Sequence, residues 1–402
     1  PLATNLDYAP DDGEAVGLAE PDELHGQDAT ETGIQKQILL VMPPPWEDVA
    51  PPLGLGYLES YLTHHGVQVT IVDANLVSLE TVPEQDRELW QYEFIDKWND
   101  RRLFQRFAKG KLALALDRCL EEILRVQAPI VGFSVNQVNR LFVAELIQRL
   151  KAATPSTHVV IGGPGVFHAE ERRELSFISQ LITVCVKGEG EETLLDVIDH
   201  LYAEADPSAL PGTAQLTGAF EDVPRKPTRN LDCLPYPSYA GFSLEAYSGD
   251  RMIKVLASRG CPGRCKYCND RCIMAPYRHR SSRSVFDEIR FHYDTNGIRH
   301  FVFNDLMLNG APRELEALCE QIIDSDMDLQ WDGNIVANPR LFPVHMAEKA
   351  RRSGCRMLML GIECGSNAVL KSMGKMFTID EAVQVLEAVS AQGIKAWVNF
   401  IV

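Results

Sequence analysis

This sequence contains no apolar run close to the ~18 residues that a membrane-spanning helix needs. Near its N-terminus no basic stretch precedes an apolar one, so we expect no secretory signal peptide. Positive charge is also scarce: 39 Lys and Arg residues stand against 56 Asp and Glu residues, a formal net charge of −17. Because nucleic acids and anionic membranes need a basic surface, we expect neither as a partner. The ten cysteines then indicate a cytoplasmic protein whose thiols are metal ligands or core residues.

Two phosphate-binding motifs are missing as well. The first apolar stretch is followed by "MPPPWEDVAPPLGLG" and not by G-x-G-x-x-G, which argues against a dinucleotide site. The pattern G-x-x-x-x-G-K-[ST] is absent too, which excludes a P-loop.

What the sequence does contain is two series of alternating strand and helix patterns. In residues 34–205, strands such as "QILLV" and "HVVIGG" alternate with helices such as "RLFVAELIQRLKAA". Continuous apolar strands between helices predict an α/β fold with a doubly wound parallel sheet. A helical, aromatic insertion occupies residues 76–128. Residues 1–33 are acidic and without apolar period, which predicts a disordered tail, and the proline-rich residues 206–250 predict a linker.

The second series occupies residues 251–402. Five strand patterns, from "MIKVLAS" to "KAWVNFIV", alternate with four helical patterns. This alternation of strands and helices predicts a barrel or a second wound sheet. Because the sequence stops inside a strand pattern, we expect the natural chain to continue.

A cysteine-rich stretch, "RGCPGRCKYCND", follows the first strand of this second series. Thiolates are soft ligands that favour zinc or iron–sulfur clusters. Gly260 and Gly263 allow the tight turns that bring the sulfurs together. A closed zinc site with Cys272 as fourth ligand is one interpretation, although zinc sites usually pair two C-x2-C units. The three cysteines that follow C-x3-C-x2-C are Cys261, Cys265 and Cys268.

With Tyr267 before its last cysteine, this loop resembles that of the radical S-adenosylmethionine (SAM) superfamily. The resemblance implies a partial (β/α)6 barrel and a [4Fe–4S] cluster held by the three cysteines, with SAM on the fourth iron and Cys272 not a ligand. It also implies an electron donor such as flavodoxin or ferredoxin. Cleavage of SAM would give a 5′-deoxyadenosyl radical.

Other segments of the second series share this resemblance. "RSSRSVFDEI" is similar to the first barrel helix of the family, with Ser284 placed to cap it. "FVFND" and "LGIECGSNAVLKSMGK" end two strands at the edge where barrel sites are built. A strand-end carboxylate and a helix cap are the alternative interpretation of Glu363 and Ser366. The residues that the resemblance implies for SAM binding are Tyr267, Asn304, Asn334, Glu363 and Ser366.

The first series resembles the cobalamin-binding domain of cobalamin-dependent radical SAM proteins, chiefly the class B methyltransferases. Glycines in "GGPG" and "GEGE" would let the backbone approach a bulky corrin; tight turns without a ligand are the alternative. No histidine lies between Gln37 and His64, so we expect cobalamin to bind without a protein histidine on cobalt. The cobalamin-binding candidates are Trp46, Leu53, Ser134, Gly162, Gly163, Pro164, Glu189 and Gly190.

The resemblance implies transfer of a methyl group from SAM, via methylcobalamin, to an unactivated carbon or phosphorus of a small-molecule or peptide substrate. An anaerobic cyclase or rearrangement enzyme with the same cofactors is an alternative, as is a non-catalytic cobalamin-binding protein. A methylthiotransferase would carry three further cluster cysteines in the first domain. Here Cys119, Cys185 and Cys233 lie on a predicted helix, a strand and the linker, so this alternative has little support.

Overall fold

The structure is a computed structural model that describes residues 35–216, 222–249 and 251–401. The tail predicted at residues 1–33 lies outside these ranges. Among the described residues, no helix combines the length and the apolar character needed to cross a membrane.

The first sheet has six strands in the spatial order β2-β1-β3-β4-β5-β6. The first five strands are parallel, and the last is antiparallel to its neighbour. The strand order reverses between the adjacent first and third strands, and in such sheets ligands bind beyond the carboxyl ends of the strands at that point. The strands are β1 (Gln37–Val41), β2 (Gln68–Val72), β3 (Ile130–Ser134), β4 (His158–Gly162), β5 (Val184–Val186) and β6 (Thr213–Ala214).

Helices cover both faces of this sheet. Ile38 and Leu40 enter one apolar core, whereas Leu39 and Val41 enter another, because successive side chains of a strand point to opposite faces. This arrangement confirms the doubly wound sheet. The helices are α1 (Leu53–His64), α2 (Ala74–Thr81), α3 (Ile95–Asn99), α4 (Arg101–Lys109), α5 (Ala113–Val126), α6 (Arg140–Ala153), α7 (Ala169–Arg173) and α8 (Glu191–Tyr202).

The second sheet has five parallel strands in the order β13-β12-β11-β10-β7, and two further short strands form an antiparallel pair. The five parallel strands are those expected from the sequence, and the antiparallel pair was not predicted. The strands are β7 (Met252–Val255), β8 (Ser258–Arg259), β9 (Arg278–His279), β10 (His300–Phe303), β11 (Gln330–Ile335), β12 (Cys355–Glu363) and β13 (Lys395–Phe400).

Six helices belong to this second part of the chain, among them the four predicted. The first predicted helix begins differently from expectation: Ser281, and not Ser284, caps it, since the Ser281 side chain accepts the Ser284 N–H at 3.1 Å. Ser284 Oγ accepts hydrogen bonds from Arg280 instead. The helices are α9 (Asp270–Ile273), α10 (Ser282–Thr295), α11 (Pro312–Asp324), α12 (Val344–Arg352), α13 (Asn367–Met373) and α14 (Ile379–Ala391).

The two sheets share one apolar core. Ile38 and Leu40 of β1 belong to the same buried cluster as Ile253 and Val255 of β7. Residues 206–250, predicted as a linker, include the strand β6, which joins the first sheet. Two strand residues are too few to produce a periodic pattern, so the sequence could not reveal this strand.

Candidate functional site between the two sheets

A cavity of about 270 Å³ lies at the carboxyl edge of the first sheet. Turns after β3, β4 and β5 form one wall, together with the start of α1. Leu256, Arg259, Met274 and Asn304 of the second part of the chain form another wall. The structure brings together here eight of the predicted cofactor-binding residues: Leu53, Ser134, Gly162, Gly163, Pro164, Glu189, Gly190 and Asn304.

The turn after β4 requires glycine at one position. Gly163 has a φ of +103°, and a Cβ atom there would lie 2.6 Å from the carbonyl oxygen of Val135. A side chain at this position would therefore clash with fixed backbone in a left-handed conformation. The turn after β4 therefore packs tightly against Val135, directly after β3. The backbone of Gly162 and Gly163 lines the cavity.

Trp46, the remaining cobalamin candidate, is not brought to this cavity. Its backbone N–H donates to Oδ1 of Asn75 at 3.0 Å, and Lys254 Nζ lies 5.7 Å from the centre of its ring. Glu47 forms an ion pair with Lys254 on β7. These contacts hold the loop after β1 against the second sheet, and the expectation that Trp46 contacts the corrin stays a prediction.

The described residues that line the cavity include no histidine. His64 and His65, at the end of α1, are exposed, and His65 Nδ1 lies 2.8 Å from the Tyr61 carbonyl oxygen. The expectation that no protein histidine ligates cobalt stays a prediction.

The cysteine loop is closed at its base by β8 and β9 and contributes Ile273 and Met274 to the cavity wall. Its three cysteines are half-buried. The Gly263 N–H donates to Sγ of Cys261 at 3.3 Å, a contact that favours a thiolate. Burial raises the pKa of the Cys261 thiol, and the Gly263 N–H and Lys375 oppose that rise.

Among the described residues, no group of three or more His, Cys, Asp and Glu side chains could hold a single metal ion. A [4Fe–4S] cluster does not require such convergence, because each cysteine binds a different iron. Three half-buried thiols on one loop therefore fit a cluster. The Cys272 side chain lies outside the described residues, so its expected non-ligand role stays a prediction. Cys119 and Cys185 are buried in the first domain, where burial raises the pKa of each thiol to about 12, as expected of core residues.

Glu363, a SAM candidate, contacts the cysteine loop through a hydrogen bond with Tyr267, the SAM candidate within that loop. Burial and a hydrogen bond with Glu363 raise the pKa of Tyr267. Lys375 donates from Nζ to Oε1 of Glu363 at 3.1 Å and to the Gly361 carbonyl at 2.8 Å. Lys375 is the last residue of the quoted "LGIECGSNAVLKSMGK", but sequence reasoning assigned it no role.

The other SAM candidates have different environments. Asn304 reaches the cavity, whereas Asn334 donates its side-chain N–H to the Asp305 carbonyl at 3.0 Å. Ser366 is the N-cap residue of α13, but its side chain makes no capping hydrogen bond. Asp305, the last residue of the quoted "FVFND", is buried and accepts hydrogen bonds from the Ala257 N–H and the Ser258 hydroxyl. Burial raises its pKa to about 6.

A wound sheet and a second α/β unit share this cavity, and the loop that carries the three cysteines contributes to its wall through Arg259. This arrangement defines a class of two-domain protein in which a cysteine loop adjoins a ligand cavity. The model of the radical SAM superfamily matches residues 255–402, and that of the B12-binding domain matches residues 109–198. The chain therefore carries a radical SAM domain, preceded by a B12-binding domain. These domains use a [4Fe–4S] cluster with SAM, and cobalamin, respectively.

Two relatives and one solved structure illustrate the similarity. An uncharacterized methyltransferase of Pyrococcus horikoshii is 24% identical over 91% of this chain and 74% of its own length. The anaerobic magnesium-protoporphyrin IX monomethyl ester cyclase of Synechocystis is 26% identical, over 68% of this chain and 56% of its own. The radical SAM methyltransferase TsrM of Kitasatospora setae, solved with cobalamin and a [4Fe–4S] cluster, has a TM-score of 0.69 at 20% identity, covering 91% of this chain and 69% of its own. This last likeness shows the fold.

Proposed function

We propose that this protein transfers a methyl group from SAM, by way of cobalamin, to an unactivated carbon or phosphorus of a small-molecule or peptide substrate. The observation that carries the proposal is the shared cavity. Glycine turns of the B12-binding domain form one wall, and residues of the cysteine loop form part of the other. A cofactor held on the first wall would therefore face the site where SAM is cleaved.

The chain's own residues have distinct tasks in this proposal. When bound, cobalamin carries the methyl group, and the cluster with SAM generates the substrate radical. Gly162 and Gly163 would present bare backbone to the corrin, and Leu53 would help to exclude water from its binding site. Glu363, to which Lys375 donates a hydrogen bond, would accept a further hydrogen bond from the SAM amino group. Tyr267 in turn hydrogen-bonds Glu363 and fixes its orientation.

The two products of SAM test the proposal. Methyl donation converts SAM to S-adenosylhomocysteine, whereas radical cleavage gives 5′-deoxyadenosine. We expect anaerobically reconstituted, reduced protein to form both in equal amounts when a panel of peptides, lipids and antibiotic precursors includes a substrate. A trideuteromethyl group from labelled SAM should then appear on the product. A Cys265→Ala variant, which cannot hold the cluster, should form no 5′-deoxyadenosine.

The second candidate function is a cyclase or rearrangement reaction, favoured by the similarity to the Synechocystis cyclase over 68% of the chain. Such an enzyme would form 5′-deoxyadenosine without S-adenosylhomocysteine. A protein that only binds cobalamin would form neither product. The same assay therefore separates the three functions.

The proposed reaction also needs an electron donor, and the surface next to the cluster supports an acidic one such as flavodoxin or ferredoxin. Arg264 and Lys266 are exposed on either side of Cys265, in a chain whose formal net charge is −17. Opposite charges accelerate the encounter of two proteins. Changing both residues to glutamate should slow cluster reduction by flavodoxin and leave reduction by dithionite unchanged. Equal slowing with both reductants would contradict this docking surface.

A further inference from the structure

Arg259 and Arg278 face each other across the short β8–β9 pair that closes the base of the cysteine loop. Like charges directly opposite on paired strands destabilise the pairing. Both side chains are buried, with 6% and 8% of their surface exposed. Because buried charges need a hydrogen-bonded partner, the loop requires acidic side chains at its base.

Glu189, from the turn after β5 in the B12-binding domain, lies between the two arginines. Its Oε2 atom is 3.2 Å from Nη1 of Arg259 and 3.1 Å from Nη1 of Arg278. Its Oε1 atom pairs with Nη2 of Arg278. Glu191 pairs with Nη2 of Arg259 at 2.5 Å. The two glutamates neutralise the two arginines, and both glutamates come from the B12-binding domain.

The same turn also forms part of the cavity wall, through Gly188, Glu189 and Gly190. It packs closely on α1, since a Cβ atom at Gly190 would lie 3.2 Å from the Leu58 side chain. The Glu189 carboxylate is occupied by the two arginines, so only the rest of the residue can contact a ligand. A ligand packed on this turn would therefore stabilise the backbone that positions the base of the cysteine loop.

We propose that Glu189 is a positioning residue that makes cobalamin binding and cluster assembly depend on each other. The inference rests on the proposed function, because it takes the cavity as the cobalamin site. By thermodynamic linkage, if the bound cluster raises the affinity for cobalamin by some factor, bound cobalamin raises the affinity for the cluster by the same factor.

The test compares hydroxocobalamin binding to cluster-loaded and iron-free protein by equilibrium dialysis, with cobalt measured by mass spectrometry. We expect the cluster-loaded wild-type protein to bind about tenfold more tightly, a typical coupling between sites. In Glu189→Gln, which keeps the shape and removes the charge, this ratio should fall to about one. Glu192→Gln is the matched control: Glu192 is two-fifths exposed, pairs with Arg225 and should keep the ratio.

A second variant keeps the test decisive if Glu189→Gln does not fold, as judged by circular dichroism. Arg278→Lys retains the charge, but an ammonium group cannot form the two-oxygen contact with Glu189. Its ratio should lie between those of the wild type and Glu189→Gln. A wild-type ratio in either folded variant would overturn the inference. Equal wild-type affinity with and without the cluster refutes this inference alone, whereas no cobalamin binding at all refutes the proposed function too.

Discussion

Replacing Lys375 by methionine should destabilise the protein and weaken SAM binding together. Lys375 and Glu363 are a largely buried ion pair, with 8% and 14% of their side chains exposed. Methionine keeps much of the side-chain volume and leaves the Glu363 carboxylate without its cationic partner. Breaking a buried pair on one side costs about 3–5 kcal/mol, and the slight exposure here places the expected loss near 3 kcal/mol.

Urea unfolding followed by circular dichroism measures this loss. Lys371→Met is the control, because Lys371 is exposed on α13, and it should change the stability by less than about 0.5 kcal/mol. The double variant Lys375→Met with Glu363→Gln should be more stable than Lys375→Met alone, since no unpaired charge remains. If Lys375→Met unfolds like Lys371→Met, the pair does not have the energetic role that its burial implies.

SAM binding to the cluster-loaded protein provides the second readout. A hydrogen bond to a charged group contributes about 1.5–3 kcal/mol, so a misoriented Glu363 should raise the SAM dissociation constant about tenfold or more. Isothermal titration calorimetry measures that constant, with Lys371→Met again as the control. An unchanged dissociation constant in Lys375→Met would show that Lys375 does not orient Glu363 for SAM.

Three further predictions concern the cofactors and pH. We expect about four irons per chain in the wild-type protein, and alanine at Cys261, Cys265 or Cys268 should remove them. Cys272→Ala should keep the same iron content. Zinc bound through Cys272 would contradict this prediction. The protonated Asp305 side chain stabilises the fold below pH 4, and this stability is lost as pH rises through about 6. Asp305→Asn should therefore gain stability relative to the wild type between pH 4 and 7, and a pH-independent difference would refute that reasoning. Paramagnetic resonance of bound cob(II)alamin should show no splitting from an axial nitrogen, and Gly163→Trp should abolish cobalamin binding.

Much of the fold could be predicted because apolar periodicity is a local property. "IVGFSV" and "KAWVNFIV" indicate β3 and β13 from their own residues. The spacing of the three cysteines is equally local, and the family resemblance that it carries implies a cluster. Glycine-rich turns after β4 and β5 predicted most of the cavity wall, since the carboxyl ends of parallel strands meet at one edge.

Contacts between distant parts of the chain could be decided only by the tertiary structure. Glu47 and Lys254 are 207 positions apart, and their ion pair joins the loop that carries Trp46 to β7 of the second sheet. Glu189 and Arg278 are 89 positions apart, so "GEGE" by itself predicted a cofactor turn and not a support for the cysteine loop. A charged side chain takes its role from the partner that neutralises it once it is buried. That partner is chosen by the packing of two domains, which no local pattern records.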